Sequence, residues 1–397
     1  MTKRKVKFVE PAKLYRMIKD ELDAAYFGIM DKGDLIDRGQ LKSFENNLAA
    51  FVGTKYAVGL NSGYDALHVS LLAAGIGAGD EVIVPAHTFV ATCSAVVNTG
   101  AKPVLVDVVK DFNIDCSKIE EAITEKTRGI IPVHLSGYMS DMRRIMELAE
   151  QHGLVVVEDA CQSLGSSITF ERSAISGQRW AKNKEEAEST ELNAESRTLK
   201  AGSIGLTGCF SFYPFKILGG YGDGGAITTN DPDVALFATR MRYNGEERNT
   251  GEYHGHGFTC LLDNMQAAFL DVKLRHLPSW IIRRKEIAER YRQAFSELTD
   301  LLLPHYNDPR REHVYQNYTV RSKQGDAFSE YLKANGIEVL TQFRKPYYKH
   351  EALKLDDSGF PETEALSREV CSLPMNVEIE DDEIDYVIEM VRRFYEK

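Results

Sequence analysis

Lys216 is the residue whose neighbours in the sequence point most clearly to chemistry. It ends an apolar and aromatic run that begins at Gly208, and five glycines follow between residues 219 and 225. A lysine beside a glycine-rich turn can extend its amine to the surface. Because an unpaired ammonium is costly to bury, a lysine held in such a run is equally a candidate for a neutral amine that forms a Schiff base. This segment alone does not distinguish an exposed lysine from one that forms a Schiff base.

A second apolar run is followed by an acid, Asp159. Residues 155–157 are three valines, which is typical of a buried strand whose carboxyl end lies at the ligand-binding edge of an α/β sheet. Alone, Asp159 could cap a helix that follows the strand. Paired with Lys216, it favours pyridoxal phosphate, because that cofactor needs an acid that keeps its ring nitrogen protonated.

A candidate phosphate site lies where a turn containing Gly63 and Tyr64 opens a helical pattern. The free N–H groups and the dipole of a helix start favour an anion, although many turns enter helices in this way. Ser211 lies shortly before Lys216 and could add a hydroxyl. These residues complete a possible cofactor site.

The elements that must position this chemistry alternate between short apolar runs and helical patterns. Leu41, Phe44, Leu48 and Phe51 recur on one face of a helix. Strands are predicted at residues 56–60, 81–84, 103–108, 129–133 and 154–158, with helices at 117–123 and 142–152. This alternation predicts an α/β fold with a mostly parallel, doubly wound sheet.

The character of the chain changes after about residue 270. A long helix is expected from Pro278 to Leu298, with the proline in its first turn, and a closing helix from Asp381 to Tyr395. We therefore predict a large domain at residues 1–275 and a smaller C-terminal α/β domain at 276–397.

Residues 166–201 interrupt the alternation, because no comparable apolar strand is recognised in them. Nine of the twenty residues from 181 to 200 are charged. Such a composition favours a solvated surface excursion, which could contain a charged helix. The alternative is a lid or an arm over an active site, since long insertions are often functional.

Composition excludes several classes of function. The 397 residues carry 48 Lys and Arg against 59 Asp and Glu, a net charge of −11, so a nucleic-acid partner is not expected. No apolar run is long enough to span a membrane, and the basic N-terminus lacks the apolar region of a secretory signal. Six scattered cysteines show no metal-like spacing and fit a reduced, cytoplasmic protein without a metal.

Several segments together resemble the DegT/StrS family of pyridoxal phosphate-dependent sugar aminotransferases. The similarity covers nearly the whole chain outside residues 166–201 and is carried by residues 84–89, 131–137, 158–162, 211–216, 336–337 and 373–374. The resemblance implies the fold type I architecture of aspartate aminotransferase. It also implies glutamate as the amino donor, a carbonyl sugar as the acceptor, and a homodimer, the commonest symmetric assembly.

The resemblance assigns roles to individual residues. Lys216 would form the Schiff base with pyridoxal phosphate, and Asp159 would pair with the pyridine nitrogen. Gln162 would lie near the ring hydroxyl and Phe89 would stack on the ring, although an ordinary core phenylalanine is the alternative. The residues that would hold the phosphate are Gly63, Tyr64 and Ser211.

Two further residues are candidates for substrate contacts. His134 follows a strand and could line the pocket, with a structural histidine as the equal alternative. Arg344 lies where relatives place substrate-facing residues, and a solvated charge is the alternative. The pair His254 and His256 would need further ligands to bind a metal, so no metal site is predicted.

Some positions depart from the family pattern. Tyr64 stands where relatives usually have threonine, a change that backbone contacts tolerate. Thr259 and Leu261 replace an asparagine and an arginine, which puts a contact between subunits in doubt. The stretch from Leu261 to Gln266 instead resembles transaminases that aminate the terminal aldehyde of 8-oxo-3,8-dideoxy-manno-octulosonate, a sugar acid of lipopolysaccharide.

The sequence therefore predicts transfer of an amino group from glutamate to a carbonyl sugar. The octulosonate aldehyde is one expected acceptor, and a keto sugar linked to a nucleotide is the alternative. A pyridoxal phosphate-dependent sugar dehydratase is disfavoured because Lys216 is retained. A non-catalytic, regulatory binding protein is disfavoured by the set of Lys216, Asp159 and Ser211.

Overall fold

The computed structural model describes residues 4–171, 196–304, 306, 308–355 and 359–396. Within these ranges the helices α1 to α12 are Pro11–Met17, Lys19–Met30, Gly39–Val52, Gly63–Ala73, Val90–Asn98, Cys116–Ala122, Met142–His152, Pro232–Met241, Asn264–Phe295, Gly325–Ala334, Pro361–Glu369 and Asp381–Tyr395. The strands β1 to β15 are Tyr56–Leu60, Glu81–Pro85, Lys102–Val106, Thr127–Ile130, Val155–Asp159, Ser167–Glu171, Ser196–Lys200, Thr207–Ser211, Gly225–Thr229, Glu246–Glu247, Glu252–Tyr253, Leu301–Leu302, Arg311–Glu312, Tyr318–Ser322 and Val370–Leu373.

A seven-stranded sheet forms the centre of the fold, in the order β1-β9-β8-β5-β4-β2-β3. Strand β9 runs antiparallel to both of its neighbours, while every other pairing in the sheet is parallel. The prediction of a mostly parallel sheet is confirmed. The carboxyl ends of β5 and β8 lie side by side, since Asp159 is in register with Cys209.

The sheet is covered on both faces, which explains why its strands read as continuous apolar runs. In β2, Ile83 packs into one buried cluster, whereas Val82 and Val84 pack into another. The helix predicted from residue 41 onwards is α3, and Leu41, Phe44 and Leu48 on its predicted face are buried. It ends at Gly53, whose φ of 89° gives the left-handed cap that favours glycine.

The long helix α9 differs from its prediction. It begins at Asn264 and contains Pro278 in its interior, where the sequence predicted a helix start. A proline removes one hydrogen bond and usually interrupts a helix. Here Leu277 and Trp280 on either side of it are buried, so tertiary packing outweighs the local cost.

A second buried cluster forms in the C-terminal part of the chain. It combines Ile287 and Tyr291 of α9 with residues of β14, β15 and α12 such as Val320, Leu373 and Val387. Because α9 contributes to this cluster and to the core under the main sheet, the predicted boundary at residue 275 falls inside one continuous helix.

Residues 166–201 contain a β-strand near each end. Strands β6 and β7 pair antiparallel at their two ends, and β13 adds a third strand, so strands that the apolar pattern did not predict occur there. The charged helix or lid considered for the middle falls on residues 172–195, which lie outside the described ranges. Over the part of the chain that the structure describes, no helix combines the length and apolar character needed to cross a membrane.

Candidate active site

Asp159 ends the central strand β5 and is almost completely buried. One carboxylate oxygen accepts a hydrogen bond from the Thr92 hydroxyl at 2.8 Å, and the other accepts from the Cys161 backbone N–H at 3.2 Å. Both contacts orient the carboxylate at the strand end, where ligands bind in α/β sheets. Thr92 could not be identified from the sequence, because it precedes Asp159 by 67 residues in the chain.

Phe89 lies next to a helix start that a short chain of hydroxyls attaches to Asp159. Thr88 and Thr92 are hydrogen-bonded at 2.9 Å, so the start of α5 is attached to Asp159. Phe89 immediately precedes that helix, and 59% of its surface is exposed. The alternative of an ordinary core phenylalanine therefore does not hold, and an open aromatic face is available to a flat ligand.

Lys216 lies close enough to Asp159 for both charges to act on one thiol. Burial raises the pKa of Cys161 well above its usual value, the Asp159 carboxylate raises it further, and the Lys216 ammonium opposes the change. The charges of Asp159 and Lys216 therefore both act on Cys161, although the three residues come from β5, the turn after it and the turn after β8. The pairing of Lys216 with Asp159 through a cofactor stays a prediction.

The candidate phosphate cradle is formed by close approach of α4 to the ends of β5 and β8. A Cβ added to Gly63 would lie 2.8 Å from both the Cys161 sulfur and the Ser211 Cβ. Only glycine therefore allows the first turn of α4 to pack this closely against Cys161 and Ser211. Ser62 caps the helix by accepting from the Asp65 N–H at 3.1 Å, and the remaining N–H groups of a helix start favour an anion.

A role for Tyr64 in this cradle stays a prediction, and its side chain makes other contacts. Its hydroxyl accepts a hydrogen bond from the Asn98 amide at 2.6 Å, and its ring lies 5.8 Å from that of His68. The side chain is thus engaged by α5 and by its own helix. This arrangement explains why a residue other than threonine is compatible with the position.

Gln162 is attached to the turn after β4. Its carbonyl oxygen accepts from the Ser136 N–H at 2.9 Å, and Ser136 has the unusual φ of 57°. The bond links Gln162 to the strained turn. The proposed contact with a ring hydroxyl stays a prediction.

Helix α9 holds the glycine-rich segment that follows Lys216. Gln266 accepts from the Tyr221 N–H at 2.9 Å, and the Lys273 ammonium donates to the Gly219 carbonyl at 2.7 Å. The same ammonium lies 3.8 Å from the centroid of the Tyr221 ring. Burial lowers the pKa of Lys273 to about 8, against an opposing effect of Glu378.

His134 has no ring atom available to a substrate. It is fully buried, its Nε2 lies 3.0 Å from Glu158, and its Nδ1 accepts from the Ser140 N–H at 3.2 Å. Glu158 also accepts from three backbone N–H groups between residues 202 and 205. Of the two sequence interpretations, the structural histidine fits, and the substrate contact is corrected.

Arg344 is likewise engaged away from the site. Its guanidinium donates to the carbonyls of Ser367 and Arg368 and pairs with Asp326 at 3.4 Å. These groups lie at the end of α11 and the start of α10, in the C-terminal part of the chain. In this structure the residue joins two helices, and the expected anion contact stays a prediction.

The departures from the family pattern are accommodated locally. The Thr259 hydroxyl donates to the Asn244 side chain at 3.1 Å, and Leu261 forms a β-bridge with Leu60. His254 faces Glu247 at 3.2 Å. In the described ranges no group of three or more metal-ligating side chains converges on a common point.

The comparisons with known proteins decide the family. A family model described as the DegT/DnrJ/EryC1/StrS aminotransferase family matches residues 16–392. The chain belongs to this family. Its members include sugar transaminases, and the chain is therefore a pyridoxal phosphate-dependent sugar aminotransferase.

Individual relatives match along their whole length. The chain is 36% identical to a dTDP-3-amino-3,4,6-trideoxy-α-D-glucose transaminase of Streptomyces venezuelae, covering 99% of this chain and 97% of the relative. It is 35% identical to a pleiotropic regulatory protein of Geobacillus stearothermophilus, over 98% of both chains. The solved structure of S. venezuelae DesV in complex with a ketimine intermediate superposes with a TM-score of 0.88, at 36% identity and 99% coverage of both chains.

The described residues fit the cofactor that the family uses. The space kept open by Gly63, the Ser211 hydroxyl and the adjacent helix start suit a phosphate. Asp159 suits a protonated ring nitrogen and the exposed Phe89 a flat ring. These features arise from the backbone positions of four separate segments.

Proposed function

We propose that this aminotransferase moves the amino group of glutamate to a keto sugar linked to a nucleotide. The catalytic part is supported by the close packing of Gly63 against Cys161 and Ser211, with Cys161 bonded to Asp159, and by the opposing effects of Lys216 and Asp159 on the Cys161 thiol. The acceptor class is supported by the full-length similarity to a transaminase named for a dTDP-linked sugar.

Each side chain has a defined task in this proposal. Pyridoxal phosphate, when bound, supplies an electron sink that stabilises negative charge at the Cα of an amino donor. Asp159, oriented by Thr92 and the Cys161 N–H, would hold the proton on the ring nitrogen. The Lys216 amine would take the proton from the donor Cα and later return one to the carbon that receives the amino group.

The octulosonate aldehyde stays a second prediction for the acceptor, based on residues 261–266. The named relatives reported above do not include an enzyme for that sugar acid. The homodimer and the cytoplasmic location are likewise proposals. Neither affects the assignment of Lys216.

The decisive experiment incubates the protein with glutamate and then with a panel of acceptors, monitored by product mass. The panel contains dTDP- and UDP-linked keto sugars and 8-oxo-3,8-dideoxy-manno-octulosonate. Amination of a nucleotide-linked sugar is expected, whereas amination of the octulosonate alone would overturn the acceptor proposal. Loss of water instead of a gained amino group would indicate a dehydratase.

A pair of variants tests the catalytic assignment. Lys216→Ala is expected to abolish turnover and the covalent attachment of cofactor that borohydride reduction reveals by mass spectrometry. Lys102→Ala removes an exposed lysine at the opposite end of the parallel strands and is expected to retain both. If Lys216→Ala kept turnover, the proposed mechanism would be wrong.

A further inference from the structure

Gln316 contacts the main chain on both sides of Lys216. Its amide nitrogen donates to the Phe215 carbonyl at 2.9 Å, and its amide oxygen accepts from the Ile217 N–H at 2.6 Å. The side chain therefore pairs with the flanking peptide groups as a neighbouring strand would. Gln316 itself is buried, so water does not compete for these bonds.

The conformation of the preceding residue fixes this contact. Tyr315 has a φ of 54°, which is unusual for a residue with a bulky side chain. Its N–H donates to the His313 Nδ1 at 2.7 Å, and its ring stacks on the His313 ring at 4.0 Å. The strained turn before β14 thereby directs Gln316 towards the lysine segment.

A buried arginine holds the same turn from the opposite side. Arg284 of α9 donates to the carbonyls of Tyr315 and Gln316 at 2.9 and 3.3 Å. Gly137 approaches so closely that an added Cβ would lie 2.8 Å from the Gln316 nitrogen. Arg284 and Gly137 thus fix the backbone of Gln316, while its side chain bonds to the segment that contains Lys216.

We propose that Gln316 is a positioning residue that fixes the direction of the Lys216 amine by clamping the peptide groups on either side of it. The proposal rests on the role of Lys216 given above. A small rotation of this peptide would displace an amine at the end of a four-carbon chain. Misplacement of a reacting group by about 1 Å can lower a rate by about 100-fold.

The test separates covalent capture of the cofactor from its non-covalent binding. Gln316→Met keeps the length of the side chain and removes both bonds, and Gln316→Glu keeps only the acceptor. Asn376→Leu is the matched control, since Asn376 is a buried amide that donates to the carbonyls of Lys7 and Phe8, at the N-terminal segment. Cofactor-free protein is mixed with pyridoxal phosphate, and attachment to Lys216 is followed by borohydride trapping and mass spectrometry.

Gln316→Met is expected to slow attachment and to lower kcat by about 10- to 100-fold, with KM for glutamate changed by less than about threefold. Binding of pyridoxamine phosphate, which cannot attach to lysine, is expected to stay within about twofold, and Gln316→Glu to be intermediate. The Asn376→Leu control is expected to lower the melting temperature without changing the attachment rate.

Attachment and kcat at wild-type levels in Gln316→Met would overturn the proposal, and so would equal slowing in the Asn376→Leu control. If Gln316→Met does not fold, the attachment rate of Gln316→Glu decides by the same criterion. These outcomes are distinct from failure of the proposed function, which would show as turnover by Lys216→Ala.

Discussion

Replacing Gly63 with alanine adds one methyl group at the point where α4 meets the ends of β5 and β8. That methyl carbon would lie 2.8 Å from the Cys161 sulfur and 2.8 Å from the Ser211 Cβ, with the Ser211 Cα at 3.3 Å. Carbon atoms do not normally approach this closely. Because the Ser211 atoms belong to or adjoin the backbone, the contact can be relieved only if the strand end or the helix start moves.

The cost follows from the geometry. Overpacking of this kind lowers the free energy of unfolding by about 1–3 kcal/mol. Alanine offsets up to about 1 kcal/mol of this loss, because the unfolded chain has less conformational entropy with alanine than with glycine. If the helix start shifts, its N–H groups move relative to Ser211. The displaced cradle is then expected to bind a phosphate about 5- to 150-fold more weakly.

The assay is a fluorescence titration of cofactor-free protein with pyridoxamine phosphate and, separately, with pyridoxamine. The first ligand carries the phosphate and the second does not, so only the first is expected to lose affinity in Gly63→Ala. Gly39→Ala is the matched control, because Gly39 is also the first residue of a helix but has no atom within 4 Å of an added Cβ.

Two results would refute this reasoning. Equal affinity of the Gly63→Ala and Gly39→Ala variants for pyridoxamine phosphate would show that the phosphate binds elsewhere. Equal weakening for both ligands would show that the methyl group disturbs the site as a whole. Either result would remove the structural basis for assigning Ser211 and the start of α4 to the phosphate.

Other predictions concern the Asp159 carboxylate and two buried titratable side chains. Thr92→Val removes a hydrogen bond to Asp159 at nearly constant shape, and kcat is expected to fall about 10- to 100-fold in a steady-state assay; an unchanged kcat would argue against a role for this bond. Burial lowers the pKa of Lys273 from 10.5 to about 8. Between these two pH values the unfolded chain binds more protons than the folded protein. The free energy of unfolding of wild type, relative to that of Lys273→Met, is therefore expected to rise by up to about 3 kcal/mol as pH increases from about 8 to 10.5. Burial also lowers the pKa of His87 from 6.5 to about 4, with Asp107 opposing the shift, so wild type is expected to lose up to about 3 kcal/mol relative to His87→Phe as pH falls through that range. Urea unfolding across each pH range measures both differences, and a difference independent of pH would contradict the argument from burial.

Much of the fold was predictable because apolar periodicity is a local signal. Strands β1, β2 and β5 were predicted within one residue of their ends, and helix Met142–His152 was predicted at both ends. The errors occur where distant packing outweighs local preference. Pro278 lies inside a helix that two buried clusters hold, and β6 pairs with β7 across a charged segment of the sequence.

The candidate site divides in the same way. Lys216, Asp159 and Ser211 were identified because their residue types follow apolar strands, where parallel sheets place ligands. Arg344 was expected at the site on resemblance alone, and the structure shows it joined to α10 and α11. A charge on a loop carries no information about its partner, since the partner can come from any other part of the chain.

By itself, the sequence determined the α/β fold, the family and the lysine, acid and helix start that suit pyridoxal phosphate. Only the tertiary structure decided how these groups are held: Thr92 orients Asp159, Gly63 permits α4 to pack against Ser211, and Gln316 bonds to both sides of Lys216. The physical reason is that hydrogen bonds and close contacts depend on distances of a few tenths of an ångström between segments about 100 residues apart. Residue types set which chemistry is available, and packing sets the direction in which each group points.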